Sequence, residues 1–215
     1  MIVVFLGPPA IGKGTQARRI ARERGLSVIS TGDKLREAVA QGTDVGQEAK
    51  KFIDQGQLVP DEVVVRIVTD SLRSINGNGV ILDGFPRTLS QAESLETHLE
   101  KEAGLDGVLH FEAPTEMLIG RASGRRICRN CQEIYHLEFR PPRSEGVCDA
   151  CGQETLYQRT DDQEEAVRRR LEGDQLTTQK LVDFYQERGL LARVAADRDV
   201  DSIAKDVSLW VEGLS

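Results

Sequence analysis

Short runs in which nearly every position is apolar alternate along this chain with longer stretches whose apolar residues recur at helical spacing. The runs "IVVFL" (2–6), "LSVIS" (26–30), "GVILD" (79–83), "GVLHFE" (107–112) and "LLARVAA" (190–196) read as buried strands. Between them, "TQARRIARERG", "DEVVVRIVTDSLRS", "SQAESLETHLEKEAG" and "EEAVRRRLEGDQLTTQKLVDFYQERG" read as helices, three of them ending at glycine. Alternation of this kind predicts an α/β fold: a doubly wound core of five parallel strands with helices on both faces.

Two segments break the rhythm. Residues 31–59 are helical and punctuated by glycine with no strand, and residues 125–160 hold every cysteine, a Pro-Pro pair and several short β-like runs. Both are expected to be insertions, at 30–59 and 125–161, on a core made of 1–29, 60–124 and 162–215. A chain of 215 residues is long enough for one such domain with insertions.

Charge narrows the function. With 28 basic against 35 acidic side chains, a net charge of -7 and a pI near 5.1, the chain lacks the broad basic field of a nucleic-acid or anionic-membrane binder. No apolar run reaches the length of a membrane span, and "IVVFL" is interrupted by Gly7 and Pro8 before it could serve as a signal-peptide core. A cytosolic location is expected, and a reducing cytosol favours metal binding over disulfides for paired cysteines. The 21 Arg against 7 Lys suit a phosphate-handling site, since the guanidinium fork matches phosphate oxygens.

The chemistry begins at "IVVFLGPPAIGKGT", where a strand runs through Gly7-Pro-Pro-Ala-Ile-Gly12-Lys13-Gly14-Thr15 into a helix. Such a loop turns backbone N–H groups toward phosphate oxygens beside a helix N-terminus, with a lysine reaching the outer phosphates. In the common form a hydroxyl follows the lysine; here Gly14 follows it and Thr15 comes one place later. The spacing C-x2-C-x16-C-x2-C over Cys128, Cys131, Cys148 and Cys151 predicts a closed tetrahedral zinc site of structural type, with no open position for a water nucleophile.

The "GKGT" loop, followed by "STGDKLR", "DGFPRT", "GRR" and "TDDQEEAVRRRL", resembles the nucleoside monophosphate kinases over the whole chain, and most closely the adenylate kinases of the long-lid bacterial type. The resemblance implies a P-loop core with a helical AMP-binding insertion and a small β-rich zinc lid. It implies direct in-line phosphoryl transfer from Mg·ATP to AMP, giving two ADP. Because the acceptor is an ionised phosphate, none of His98, His110 and His136 is needed as a base. A monomer that binds ATP and AMP, and neither nucleic acid nor membrane, is expected.

Residue by residue, the resemblance makes Lys13, Arg36, Arg87, Arg125, Arg159 and Arg170 the catalytic cations. Arg36 and Arg87 would hold the AMP phosphate, while Arg125, Arg159 and Arg170 would close around the transferring group. ATP would meet Ala10, Ile11, Gly12, Lys13, Gly14, Thr15, Arg121, Arg125, Ile134, Tyr135 and Arg198. Arg121, one helical turn before Arg125, would lie against the adenine, which "IYH" (134–136) would cover. AMP would meet Thr31, Arg36, Gln57, Leu58, Val59, Gly84, Phe85, Pro86, Arg87, Gln91, Arg159 and Arg170. Thr31 and Gln91 favour AMP over UMP, CMP or GMP, although Thr31 is also placed to cap a helix. Asp83 would orient Mg²⁺ through water. Asp161 and Asp162 would tie the cysteine segment to the core, unless Asp162 caps the following helix.

Two loop residues depart from the family, which has glycine at the position of Ala10 and a small residue at that of Ile11. Ala10 is compatible with phosphate binding if its backbone angles are ordinary, and Ile11 is expected to set a branched side chain beside the phosphates. The alternatives are a kinase for another nucleoside monophosphate and, from a different class, a P-loop ATPase whose zinc ribbon binds nucleic acid. The latter needs a basic face, whereas residues 125–160 hold six arginines against five acids.

Overall fold

In the computed structural model, which describes residues 1–53, 55, 57, 59–73, 75, 78–99 and 104–214, five parallel strands form the central sheet. They are β1 (Ile2–Leu6), β2 (Ser27–Ser30), β3 (Val80–Asp83), β4 (Gly107–Glu112) and, late in the chain, β8 (Leu191–Ala195), in the order β2-β3-β1-β4-β8. β1 lies at the centre, flanked by β3 on one side and β4 on the other. Chain order therefore reverses beside it, and the crevice at the carboxyl ends of these strands is where an open α/β sheet receives ligands.

Strand alternation divides the core into two layers. Val3 and Phe5 of β1 point into one buried cluster together with α1 (Lys13–Arg24), α6 (Thr115–Ser123) and α8 (Val200–Glu212). Val4 and Leu6 point into the other, against α4 (Asp61–Arg73), α5 (Leu89–Leu99) and α7 (Glu164–Glu187). The expected strands agree with those observed to within a residue at each end. The helices α6 and α8 are additional to the four read from periodicity: "PTEMLIGRASG" and the last 16 residues are short stretches whose apolar faces are completed only by packing on α7 and α1.

Between β2 and α4 the chain forms α2 (Thr31–Ala40) and α3 (Asp44–Ile53), which pack on each other so closely that a Cβ at Gly46 would overlap the carbonyl of Ala38. After α6, three short antiparallel strands, β5 (Arg125–Cys128), β6 (Ile134–His136) and β7 (Leu156–Tyr157), form a second sheet in the order β6-β5-β7. Its buried side chains are few: Ile127, Cys128, Tyr135 and Cys148. Among the described residues no helix is long and apolar enough to cross a membrane.

Candidate active site and metal centre

β1 delivers the chain into the glycine loop at the carboxyl edge of the sheet. Gly7 sits at φ 142°, where an added Cβ would come within 2.8 Å of the Phe111 carbonyl, so the close pass between β1 and β4 requires glycine. Gly12 then opens α1 in a left-handed conformation, and the helix begins without a side-chain cap or an acid in its first turn. Its first N–H groups remain available to an anion. Lys13 folds back over the loop, Nζ donating to the Gly7 carbonyl at 2.7 Å and the Pro8 carbonyl at 2.8 Å. Burial pulls the Lys13 pKa down from 10.5 to about 8, against the attraction of Asp83 and with further lowering by Arg87 and Arg170.

Ala10 takes φ 62°, so its backbone angles are not the ordinary ones that a residue with a Cβ prefers. Ile11 corrects a different expectation. Its side chain is 1% exposed, packed in the core cluster with Phe111 and Leu118, and does not stand beside the phosphate position. Gly14 is explained by its neighbour, since a Cβ there would lie 3.0 Å from Asp83 Oδ2. The carboxylate at the end of β3 and the first turn of α1 thus share one small space.

Across the crevice, arginines converge on three aspartates. Asp33 Oδ1 accepts from Arg36 Nη2 at 2.6 Å and Arg159 Nη2 at 2.9 Å, and its Oδ2 accepts from Arg18 Nη2 at 2.8 Å. Arg170 Nη1 donates to Asp161 Oδ2 at 2.8 Å. Arg125 grips the fully buried Asp162 with Nε and Nη2. Arg87 Nε donates to the Gly84 carbonyl at 3.1 Å. Burial alone would raise Asp33, but Arg36, Arg159 and Arg18 outweigh it and hold the carboxyl down at about 2.

The cations also oppose one another. Arg159 is lowered to about 10 by burial first and then by Arg36 and Arg125, and its Nε–H is buried without a partner. Arg170 is lowered by burial, with Arg87 and Arg125 adding to the effect against Asp161. For Arg125, burial acts downward, yet the hydrogen bonds and charge of Asp162 prevail and raise it. The site is a set of anchored cations whose donors converge from several elements, an arrangement that suits a polyphosphate.

Next to this cluster a cleft is lined by Thr31, Leu35, Arg36, Gln57, Val59, Gly84, Arg87, Gln91 and Arg170. Thr31 Oγ1 donates to the Gly84 carbonyl at 2.8 Å, and Ser30, whose Oγ accepts from Asp33 N, is the residue that caps α2. Gln91 is tied at both ends of its amide: Oε1 accepts from Arg87 N at 2.8 Å and Nε2 donates to Asp61 Oδ1 at 2.6 Å. Phe85 and Pro86 are buried behind Gly84.

Comparison with known proteins gives the same order of parts. The adenylate kinase family profile matches residues 5–190. The chain belongs to the adenylate kinase family. The adenylate kinase of Archaeoglobus fulgidus is 47% identical over 214 residues, 99% of this chain and 98% of the relative. That of Caldicellulosiruptor bescii is 48% identical over 210 residues, 96% and 97% of the two chains. That of Geobacillus sp. strain WCH70 is 45% identical over 216 residues and spans all of both.

Against the adenylate kinase pattern, the structure rearranges several expected residues. Arg121 does not share a helix with Arg125, because α6 ends at Ser123 and Arg125 opens β5. Arg121 instead donates to the carbonyls of Ala196 at 2.6 Å and Arg198 at 3.3 Å. The Arg198 guanidinium turns away to Asp206 at 2.5 Å, so that residue presents its carbonyl, not its side chain, to Arg121. In β6 alternate side chains face opposite ways: Tyr135 is buried among the cysteines and cannot cover a base with its ring, whereas Ile134 and His136 are only partly buried. Asp162 does not cap α7, whose N-cap is Gln163. Leu58 lies outside the described residues. Sequence reasoning missed Asp33, Asp61 and Arg18; Asp33 stood in the quoted "STGD", and an acid three residues before Arg36 on one helix face was the available signal.

The four cysteines are free thiols whose sulfurs all lie within 4.8 Å of one another, with Cys128 and Cys151, and Cys131 and Cys148, each 3.5 Å apart. Four thiolates at Zn–S distances of about 2.3 Å require sulfurs about 3.8 Å apart, so the cluster fits a tetrahedral ion. The two CxxC turns are built alike. Gln132 N donates to the Cys128 carbonyl at 3.0 Å and Gly152 N to that of Cys148 at 2.8 Å, while Cys128 N and Cys148 N bond Glu133 O and Gln153 O, each at 2.9 Å. In both turns the residue after the second cysteine is left-handed: Gln132 at φ 59° and Gly152 at φ 72°. Thr155 Oγ1, 3.0 Å from Cys128 Sγ, and Tyr135 OH, 3.5 Å from Cys148 Sγ, supply polar partners to the sulfurs.

Three outcomes are expected. Ala10→Gly relieves the left-handed alanine and raises the unfolding free energy by about 1 kcal/mol; an unchanged or lower urea midpoint at constant m would show an unstrained loop. Lys13 burial favours its neutral form, so its penalty is present below pH 8 and relieved as pH rises toward 10.5. Binding of fully ionised Mg·ATP should therefore take up protons between about pH 8 and 9 but not below about pH 7. Calorimetry in two buffers of different ionisation enthalpy reads this, and Lys13→Arg, whose cation does not titrate, should show none. Finally, a metal chelator should lower Tm by at least about 4 °C and deprotect amides of 125–161 before those of the central sheet; full retention of Tm would remove the structural role of the metal.

Proposed function

We propose that this adenylate kinase family member transfers the terminal phosphoryl group of Mg·ATP to AMP, giving two ADP. The observation that carries the reading is Arg159, a buried guanidinium with an unpartnered Nε–H, lowered by burial and then by its cationic neighbours, and sharing Asp33 Oδ1 with Arg36, which lines the Thr31–Gln91 cleft. A phosphoryl group passing between donor and acceptor would give that Nε–H an acceptor and neutralise the cluster.

The roles follow from position. The backbone from Ala10 through Thr15 and the Lys13 ammonium would hold the ATP phosphates, with Arg121 and the chain at Ile134 and Tyr135 bordering the adenine. Arg36 and Arg87 would hold the AMP phosphate, and Arg125, Arg159 and Arg170 would surround the group in transit. The protein's part is alignment and charge neutralisation, since the acceptor oxygen is already ionised. Asp83, pressed against the first turn of α1, fits a water-mediated hold on the Mg²⁺ that accompanies ATP; when bound, the ion neutralises phosphate charge. Residues 30–59 would form the AMP-binding insertion and 125–161 a lid, with Zn²⁺ as the ion best matched to the four thiolates.

AMP is the acceptor favoured by Thr31 and Gln91, whose hydroxyl and amide can discriminate a base edge. Gln91 must leave Asp61 or Arg87 N to do so, and AMP binding would drive that exchange. Phosphorus NMR of the protein with Mg·ATP and AMP, GMP, CMP or UMP in separate samples tests the proposal. ADP should form with AMP alone. Transfer to another acceptor would overturn the base assignment, and no transfer to any acceptor while ATP binds would overturn the reaction.

A further inference from the structure

Arg18 lies outside every motif that carries the family resemblance, yet it connects three parts of the molecule. It projects from the second turn of α1 in the core. Its Nη2 donates to Asp33 Oδ2 at 2.8 Å at the start of α2, and its Nη1 donates at 3.2 Å to the carbonyl of Gln132. Gln132 is the left-handed residue of the first CxxC turn, so this carbonyl belongs to the metal-binding turn itself. Four residues further along α1, Arg22 Nη2 lies 3.4 Å from Glu133 Oε2, and Glu133 is also held by Arg140 at 2.7 Å. Positions four apart share one helix face, so α1 offers a two-arginine edge to two consecutive residues of the cysteine segment.

Arg159 supplies the reason this edge matters. It reaches Asp33 from the far end of the cysteine segment, where it shares Oδ1 with Arg36 while Arg18 occupies Oδ2. One carboxylate therefore collects a cation from α1, a cation from α2 and a cation from the segment that would close over ATP. Arg18 adds a second, independent contact to that same segment. Its two donors are engaged on two different bodies, which a planar fork can do and an ammonium point charge on a flexible stem cannot do with the same geometry.

We propose that Arg18, supported by Arg22, is a strap that fixes the cysteine lid against α1 and sets how long the closed arrangement lasts. It is a positioning residue: it acts through the first CxxC turn, whose Gln132 carbonyl it holds against α1, while Arg159 keeps its own contact with Asp33. The proposal rests on the lid and transfer reading given above. Losing a charged hydrogen bond and a partly exposed ion pair corresponds to about a three- to tenfold change. Closure favours bound nucleotide and opening releases it, so the strap lowers the KM for Mg·ATP and slows opening.

The test is a comparison of Arg18→Gln, Arg18→Lys and Arg22→Gln with the unaltered protein, each full-length and metal-loaded. Lid opening is followed by energy transfer between dyes on residues of the lid and of α8, with Mg·ATP alone, and KM and kcat are measured separately with AMP. Arg18→Gln should open about three- to tenfold faster and raise the KM for Mg·ATP by a similar factor, with kcat not reduced. Arg18→Lys should behave like Arg18→Gln despite keeping its charge, and Arg22→Gln should shift both quantities in the same direction by less. Opening rate and KM within twofold of the unaltered protein for Arg18→Gln would overturn the strap, as would a lowered Tm with unchanged lid kinetics. Should Arg18→Gln fail to fold, Arg22→Gln decides the matter by the same readouts. Because lid kinetics are read with Mg·ATP alone, failure of AMP to accept phosphate would sink the functional reading and leave this measurement intact.

Discussion

The structure is organised around the difficulty of holding many cations out of water at one place. Lys13, Arg36, Arg125, Arg159 and Arg170 are all largely removed from solvent at one edge of the sheet, with Arg87 beside them. Left to themselves these groups would repel one another, and the lowered pKa values of Lys13, Arg159 and Arg170 express burial first and that repulsion second. Asp33, Asp161 and Asp162 make the cluster tolerable by pinning individual guanidinium groups in fixed orientations. They do not saturate it. A site in this state is preorganised for a polyanion, because the donors are already aimed and need not reorganise when charge moves through the gap.

The scaffold exists to place those donors. β1 sits between β3 and β4, so the loop after it meets the end of β3 at Asp83 and the end of β4 at Phe111. Ile11 anchors the glycine loop by burying its side chain in the core, and a loop held from beneath can keep its N–H groups directed outward. The left-handed Ala10 is the local cost of that arrangement. The same logic holds across the crevice, where Asp61 accepts from Gln91 Nε2 at 2.6 Å and is itself held by Thr88 Oγ1 at 2.6 Å.

The cysteine segment obeys a different constraint. Four buried side chains are too few to stabilise a sheet of three short strands. Two matching CxxC turns converge their sulfurs where metal–thiolate bonds could replace that missing core. Rigidity gained in this way has a consequence at the surface, since the carbonyl of Gln132 and the carboxylate of Glu133 are carried by the first of these turns and meet α1 as a preformed edge.

The sequence by itself determined the parallel α/β core, because unbroken apolar runs of strand length can be buried only between two layers of helices. It also determined the candidate metal centre, because four thiols in two CxxC pairs are a local pattern, and the phosphate loop, because a strand, glycines, a lysine and a helix follow one another directly. Only the tertiary structure decided which carboxylate holds which guanidinium: Arg18 and Asp33 are 15 residues apart and Arg159 and Asp33 are 126 apart, and no periodicity encodes such a meeting. It also decided that Ile11 and Tyr135 turn inward while Arg198 turns away, since the direction of a side chain depends on the space its neighbours leave. Chemistry carried by residues adjacent in the chain is legible from their order. Chemistry carried by charges brought together from α1, α2, β5 and α7 exists only once the sheet has set those elements side by side.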